Sequence, residues 1–401
     1  MQHTLSDHLS SEELKNIRNP IESALTLPAS AFLDDAFYKL EVEQIYKKNW
    51  IAALFDFDVI NPGDLLPFTV CEIPLLAVRS NDDELRIFHN ICPYDGCLAV
   101  IDPISGSSEI VTPYHGWTYD LEGKLSKTPY WDGSREGNLD ALAGKEVDLI
   151  PVVTATFMNT VFIHLSDPQI PFEDYIAPIR REMSEYDLKS SQAGSDEHGN
   201  PYVKAAPIHA NWKTVFENAC INVLHESFVH TLYDASPEVP RIKEDGVPSF
   251  RNITDQKFMA LSYDRLDFQE TYPPLDVPHL GKDPNHEPDK ETFGTLYPNF
   301  YLSASSQFIE VGYVLPNGPG ESLQRVTYHY QKDVAVSEEA KTDRQAVADG
   351  FYGAFLEDGR ICEAIQKARH SPVYRQKFYA PFWDKMHHYF TNLIVDDLTA
   401  D

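Results

Sequence analysis

Two short loops decide the fold of the first half of the chain: Asn90-Ile91-Cys92-Pro93-Tyr94-Asp95-Gly96 and Thr112-Pro113-Tyr114-His115-Gly116-Trp117-Thr118-Tyr119. Proline and glycine mark both loops as turns, and each loop carries one residue type that binds metals, Cys92 in the first and His115 in the second. From about residue 58 to 165, short apolar runs alternate with Asn-Pro-Gly, Ser-Asn-Asp-Asp and Leu-Glu-Gly turns. This alternation predicts a small, wholly antiparallel β domain.

The second half combines both kinds of element. Helical periodicity occurs around 211–230 and from 338 to 369, and strand-like runs at 311–315 and 326–330 lie between these segments. We expect an α+β domain there. Ahead of the β domain, residues 34–56 carry spaced apolar side chains among charges, which predicts one or two amphipathic helices.

Composition limits the classes of partner. A chain of 401 residues with 42% hydrophobic residues can bury a sizeable core and should form two domains or so. Its formal charge of -29 repels nucleic acid and anionic membrane surfaces. We expect neither as a partner.

The sequence also predicts a compartment. The first residues form no basic and apolar leader, and no stretch approaches about 18 uninterrupted apolar residues. The five cysteines, an odd number scattered along the chain, do not resemble a disulfide framework. We expect a cytoplasmic protein.

Two histidines and a distant aspartate are candidate metal ligands. His225 and His230, five residues apart, would lie about 140° apart on a regular helix, so their spacing alone favours ordinary structural histidines. Asp358 lies within an apolar stripe of its helix, formed by Phe351, Phe355, Cys362 and Ile365. A carboxylate buried there needs a cation, a metal or a backbone partner. Two histidines and one carboxylate are the set that favours non-haem Fe(II).

The two loops resemble the Rieske signature, Cys-x-His followed by Cys-x-x-His, in which two thiolates hold one iron and two imidazoles the other. By this resemblance Cys92 and His115 occupy ligand positions. Tyr94 stands at the position of the first histidine and Thr112 at that of the second cysteine. A phenol and a hydroxyl are poor substitutes, so we expect no ordinary [2Fe-2S] cluster. A rearranged set using Cys97, with or without His89, is a second interpretation, but the shifted ligands would not reproduce the cluster geometry.

The whole chain resembles the α subunits of the Rieske non-haem iron oxygenases. The matching motifs are the Tyr-His-Gly-Trp-x-Tyr loop, Asn-Trp-Lys-x-x-x-Glu-Asn from 211, His-x-x-x-x-His from 225, Leu-Tyr-Pro-Asn at 296–299, and Glu-Asp-x-x-Ile-Cys-Glu from 357. The resemblance implies N-terminal helices at 1–45 that belong to the catalytic domain and a Rieske-like β domain at 46–165. It also implies a helix-grip (START-like) catalytic domain at 166–401, with an antiparallel sheet and flanking helices.

The resemblance further implies that His225, His230 and Asp358 bind one mononuclear Fe(II). In this family the subunits form trimers, in which the cluster of one chain reduces the iron of its neighbour through an acidic residue three positions before the first histidine. That position is Asn222 here. Tyr94, Thr112 and Asn222 thus alter one electron route while the three iron ligands remain, which indicates a correlated loss.

Two functions follow as hypotheses. In the first, the chain is an oxygenase that uses O2 to hydroxylate or demethylate a small organic substrate, aromatic ones included. Its electrons come from a separate ferredoxin or reductase. In the second, it is an idle subunit that supports an intact α subunit in a mixed trimer. Retention of all three iron ligands favours the first hypothesis.

Overall fold

The structure, a computed structural model, describes residues 4–137, 139–196, 198–221, 224–231, 250–264, 275 and 277–400. The chain forms two compact units, one made of residues 1–52 and 168–401 and the other of residues 53–167. The division at 167/168 lies two residues from the predicted one at 165/166, and the division at 52/53 lies seven residues from the predicted one at 45/46. Residues 46–52 join the larger unit because the Tyr46 ring packs edge-on against Trp212 and Trp50 Nε1 donates a hydrogen bond to the Ile170 carbonyl.

Short antiparallel strands build the smaller unit. They are β1 (Ile51–Phe55), β2 (Leu65–Val70), β3 (Ile73–Arg79), β4 (Leu85–His89), β5 (Ile110–Val111), β6 (Thr118–Tyr119), β7 (Leu125–Lys127), β8 (Val153–Phe157) and β9 (Thr160–His164). They form three sheets of order β1-β9-β8, β2-β3-β4 and β5-β6-β7. The predicted antiparallel β domain is confirmed.

The prediction of helix over 34–56 is wrong in its last part. Residues 51–55 form β1 because all five of their side chains are buried, which suits a strand pairing with β9 better than one face of an amphipathic helix.

One large antiparallel sheet is the centre of the larger unit. Its strands are β10 (Ser191–Ala193), β11 (Val203–Ile208), β12 (Phe250–Asp255), β13 (Phe258–Asp264), β14 (Lys290–Leu296), β15 (Phe300–Ala304), β16 (Ile309–Pro316) and β17 (Ser322–Gln331). Their order is β10-β17-β16-β15-β14-β13-β12, and β11 also pairs with β17.

Helices flank this sheet in the larger unit. They are α1 (Ser11–Arg18), α2 (Ser30–Leu33), α3 (Asp35–Glu41), α4 (Phe172–Glu182), α5 (Trp212–Ile221), α6 (Glu226–Val229), α7 (Lys332–Val336), α8 (Lys341–Ala368) and α9 (Lys385–Thr399). The predicted α+β class is confirmed. Within the part of the chain that is described, no helix has the length and apolar character needed to cross a membrane.

A buried ion pair joins the N-terminal helices to α5. Lys213 Nζ lies 2.5 Å from Glu41 Oε1, and both side chains are fully buried. Trp212 Nε1 donates a second hydrogen bond to the same carboxylate. Removing either charge would leave its partner buried and unpaired, at a cost of about 3 to 5 kcal/mol. The pair therefore fixes the start of the segment that leads to the two candidate histidines.

Candidate metal centre

His225 and His230 flank the single turn of α6, with His225 at its N-terminal and His230 at its C-terminal boundary. The backbone is helical at His225 but extended at His230, where φ is -95° and ψ is 118°. This change of conformation brings the two imidazole rings to a centroid distance of 5.3 Å. The separation of about 140° expected on a regular helix does not apply, because the helix ends before the second histidine.

Asp358 reaches the same point from α8. Its Oδ1 lies 3.3 Å from His225 Nε2 and 3.5 Å from His230 Nε2. One possible ligand atom from each of the three residues lies within 4.8 Å of the others. Two donors that bind an octahedral cation at about 2.1 Å and at right angles are about 3 Å apart. The three side chains are therefore spaced as ligands of one metal ion.

The chemistry of these residues also fits a metal. Asp358 Oδ1 is buried and accepts no hydrogen bond from the described residues, although it lies beside two imidazoles. Leaving a buried carboxylate oxygen in this state is unfavourable unless a cation compensates it. Two neutral imidazoles and a carboxylate with open positions form the set typical of non-haem Fe(II).

A fourth residue orients His230. Its Nδ1 lies 3.1 Å from Glu357 Oε2. An ionised carboxylate only accepts, so Nδ1 donates the hydrogen and the Nε2 lone pair is directed toward Asp358. Glu357 Oε1 also accepts a 3.0 Å hydrogen bond from the Thr231 hydroxyl. Glu357 is not among the site residues predicted from the sequence, although its position next to Asp358 is a usable signal.

The apolar stripe predicted around Asp358 is only partly correct. Cys362 is buried, but Ile365 is 37% exposed. The buried side of α8 instead continues through Gly359, Cys362 and Gln366. Asp358 itself is part-buried, because its side chain points to the histidines rather than into an apolar core.

A second carboxylate lies near this centre on the sheet. Glu310 is in β16 and is paired in register with Tyr328 of β17. Burial is the main cause that raises the pKa of Glu310 to about 7, the Tyr328 hydroxyl opposes it by donating a hydrogen bond, and the Asp358 charge raises the pKa further. Glu310 is not among the residues predicted from the sequence, because only strand pairing places it on the face that α8 covers. A charge inside the apolar run Ile309-Glu310-Val311 was the available signal.

Asn222, the altered position on the electron route, lies outside the described residues. The four cluster positions are all described, and they lie in the smaller unit. Cys92 is buried, and its Sγ lies 3.7 Å from the Tyr119 hydroxyl. Thr112 is also buried, and its Oγ1 has no hydrogen-bond partner among the described residues.

Tyr94 and His115 are held by other protein groups. The Tyr94 ring stacks on Trp117 with a centroid distance of 4.8 Å and an interplanar angle of 7°, and it meets Trp131 edge-on. His115 Nδ1 lies 2.7 Å from Asp95 Oδ2. Burial alone would raise the pKa of Asp95, but hydrogen bonds from the Cys97 amide and from His115 lower it overall.

These residues do not fit an ordinary [2Fe-2S] cluster. Only two of the four positions carry a cluster ligand, and a tyrosine that stacks on Trp117 stands at a third. The rearranged set with Cys97 or His89 has no support either. Among the described residues, the group at His225, His230 and Asp358 is the one whose ligand atoms converge.

Comparisons with known proteins agree with this architecture. The family model described as the ring hydroxylating alpha subunit (catalytic domain) matches residues 186–400, and the Rieske [2Fe-2S] domain model matches residues 49–142. The chain belongs to the family of ring-hydroxylating oxygenase α subunits. The second match gives no support to the expectation that the cluster is absent, which remains a prediction resting on Tyr94 and Thr112.

The relatives found by sequence are distant. A chloroplastic choline monooxygenase from Atriplex hortensis is 24% identical over 377 residues, which covers 92% of this chain and 77% of the relative. The glycine betaine monooxygenase oxygenase subunit of Pseudomonas aeruginosa (strain UCBPP-PA14) is 26% identical over 198 residues, covering 49% of this chain and 43% of the relative.

Solved structures share the fold. The quaternary ammonium Rieske monooxygenase CntA in complex with L-carnitine has a TM-score of 0.70 and 19% identity, covering 95% of this chain and 97% of that chain. Naphthalene 1,2-dioxygenase with indole bound has a TM-score of 0.71 and 17% identity, covering 96% and 95%. The predicted combination of a Rieske-like domain with a catalytic domain is thus confirmed as a fold.

Proposed function

We propose that this chain is a mononuclear non-haem Fe(II) oxygenase that hydroxylates or demethylates a small organic substrate with O2. The observation that carries the proposal is the convergence of His225, His230 and Asp358, whose facing atoms lie 3.3 and 3.5 Å apart around a buried carboxylate oxygen. The family membership and the relatives named as monooxygenases support the reaction class.

His225 Nε2, His230 Nε2 and Asp358 Oδ1 would hold the iron. Bound Fe(II) would supply O2 activation at its open positions. Glu357 keeps the proton of His230 on Nδ1, so that Nε2 remains available as a ligand. His230 is buried and the other two side chains are less than one-fifth exposed, which limits the access of water to the site.

The electrons would come from a separate ferredoxin or reductase. Tyr94 and Thr112 do not ligate iron as histidine and cysteine do, so we propose that residues 46–165 retain the Rieske fold without its cluster. Asn222 would correspondingly lack the charge of the family's bridging carboxylate. A trimer remains part of the proposal, since the family assembles in this way.

Metal and sulfide analysis of anaerobically purified chain tests the proposal. We expect about one iron per chain, no acid-labile sulfide and no visible Rieske absorption, since half of the cluster ligands are absent. Nitric oxide should give the electron paramagnetic resonance signal of a high-spin Fe(II)-nitrosyl in wild type and not in His225→Ala. Stoichiometric sulfide would contradict the cluster-free domain, and absence of iron together with absence of the nitrosyl signal would contradict the oxygenase.

The altered cluster positions favour a second function, that of an idle subunit. It requires an intact α subunit that co-purifies with this chain. Size-exclusion chromatography with mass spectrometry of the native complex separates the two: a trimer of this chain alone supports the oxygenase, and a mixed trimer with an iron-free copy of this chain supports the idle subunit.

A further inference from the structure

Glu310 is in the interior of the large sheet. Its strand, β16, has a neighbour on each side, and Glu310 pairs in register with Ser303 of β15 and Tyr328 of β17. Directly paired residues of antiparallel strands place their side chains on the same face. The Tyr328 ring lies 6.0 Å from the Phe351 ring of α8, so this face is the one covered by the helix that carries Asp358.

No cation of the described chain compensates Glu310. The contact that it makes is the hydrogen bond donated by the Tyr328 hydroxyl, and the nearby charge that acts on it is the like charge of Asp358. Among the described residues, no lysine, arginine or histidine forms an ion pair with it. A charged carboxylate in this position is unfavourable, so Glu310 either takes up a proton, as its raised pKa allows, or is paired with a cation from outside the chain.

Aromatic rings lie on the same face of the sheet as Glu310. Phe308 meets Phe351 edge-on at 5.3 Å and lies 6.3 Å from Tyr330, and Tyr328 closes the group against Phe351. Phe308, Tyr328 and Tyr330 belong to one buried apolar cluster, and the partly buried Phe351 of α8 packs against it. Aromatic faces attract alkylammonium cations, and their rims tolerate the methyl groups of such cations. This face of the sheet thus combines one uncompensated carboxylate with neighbouring aromatic rings.

We propose that Glu310 binds the alkylammonium group of a cationic substrate and, with Tyr328 and Phe351, determines the specificity of the site. The inference rests on the proposed function, because the bound cation would lie beside the carbon that the oxygenase oxidises. The formal charge of -29 favours the approach of cations over that of anions.

Glu310 is proposed as a substrate-binding residue and not as an iron ligand. Glu310 is not one of the residues whose ligand atoms converge at the candidate iron site. Replacement of Glu310 should leave iron binding unchanged, whereas loss of a ligand would abolish it. This difference separates substrate binding from metal binding.

Calorimetric titration of the full chain tests the proposal with two probes of equal shape. Choline carries the quaternary ammonium, and 3,3-dimethyl-1-butanol replaces its nitrogen with carbon. We expect wild type to bind choline at least about tenfold more tightly than the neutral probe, since a cation beside a carboxylate and ring faces gains more than about 1.4 kcal/mol. Glu310→Gln should reduce this preference to about twofold or less and keep the wild-type iron content.

Glu339→Gln, an exposed position in the same unit, is the matched control and should retain the preference. The proposal is overturned if wild type binds choline no better than the neutral probe, if neither choline nor tetramethylammonium binds, or if Glu310→Gln retains the preference. Loss of iron in Glu310→Gln would also overturn it, by making Glu310 a ligand.

The preference of wild type for choline over 3,3-dimethyl-1-butanol tests the ammonium site even if Glu310→Gln does not fold. Titration of both the iron-free and the Fe(II)-loaded chain keeps the two proposals distinguishable. An iron-free chain that prefers choline supports the ammonium site even where the oxygenase fails, and an iron-loaded chain without the preference leaves only the oxygenase.

Discussion

Glu357 accepts a hydrogen bond from His230 Nδ1 at 3.1 Å, and its neighbour Asp358 faces the opposite nitrogen of the same ring. Two consecutive residues of α8 thus hold both sides of one imidazole. The first fixes the tautomer, and the second provides a ligand beside the nitrogen that this tautomer leaves unprotonated. These two residues therefore determine both the orientation and the tautomer of His230.

Replacing Glu357 with glutamine should weaken Fe(II) binding by about 10- to 100-fold, because the amide is a weaker acceptor for the His230 proton. The measurement is a competition titration against a calibrated chelator under anaerobic conditions. Glu339→Gln should bind iron as wild type does. An unchanged affinity in Glu357→Gln would mean that the hydrogen bond does not orient the ligand.

Asp358→Ala should lose bound iron and keep the fold. In the iron-free state this variant should be at least as stable as wild type, since it removes a buried oxygen without a hydrogen bond and the repulsion of Glu310. Metal content and thermal unfolding of both iron-free proteins measure the two effects. Asp343→Ala, on the first turn of α8, should retain iron. Full iron occupancy in Asp358→Ala would show that the aspartate is not a ligand.

Restoring Tyr94→His and Thr112→Cys should rebuild a cluster after anaerobic reconstitution, since all four ligand types would be present. Adding Asp95→Asn should raise the yield by weakening the contact that holds His115 Nδ1. Acid-labile sulfide and the visible spectrum measure the outcome. The control pair Tyr94→Phe and Thr112→Ser keeps the shapes and should bind no cluster. Failure of every revertant would show that the loops have diverged beyond these positions.

The ion pair between His387 and Glu217 should make stability depend on pH. His387 Nε2 lies 3.0 Å from Glu217 Oε1. Burial alone would lower the pKa of His387, but Glu217 raises it above 6.5 overall. Burial alone would raise the pKa of Glu217, but His387 lowers it below 4.5 overall. The contribution of protonated His387 to the free energy of unfolding is complete below pH 6.5. It is lost as pH rises through the folded-state pKa of His387.

The contribution of Glu217 is complete above pH 4.5 and is lost as pH falls through its folded-state pKa. His387→Gln should therefore cost about 3 kcal/mol near pH 6, and this cost should shrink toward pH 9. Denaturant unfolding at several pH values measures it, and the exposed His286→Gln should change little. A cost that does not vary with pH would show that the pair is not ionic.

The sequence predicted the class of fold because its signals are local. Apolar periodicity marked α5 and α8, and turn residues marked the strands of the smaller unit. The prediction that helix continues to residue 56 is wrong, because residues 51–55 form β1. Both faces of β1 are buried through pairing in the sheet, and a local sequence pattern does not contain that information.

In the candidate site, too, some features are predicted from the sequence and others are seen only in the structure. Sequence motifs identify His225, His230 and Asp358 as candidate ligands, and their binding of iron stays a prediction. The spacing of the two histidines, taken alone, favours ordinary structural histidines. What brings the histidines together is the extended backbone at His230, which residue type does not specify. For Glu310 the sequence offers only a charge inside an apolar run, because its place beside Asp358 depends on the register of β16 against β17.

The stacking of Tyr94 on Trp117 has a consequence for how the smaller unit is made. Protein contacts join its loops, among them the Tyr94–Trp117 stack and the contact of His115 Nδ1 with Asp95 Oδ2. Hydrogen bonds from the Cys92 amide to the Cys97 carbonyl and from the Thr112 amide to the Trp117 carbonyl close each loop on itself. A Rieske domain ordinarily needs inorganic sulfide and assembly factors before its loops are complete. If this unit carries no cluster, as proposed, its maturation would need no iron-sulfur assembly, and its supply in the cell would not compete for that machinery.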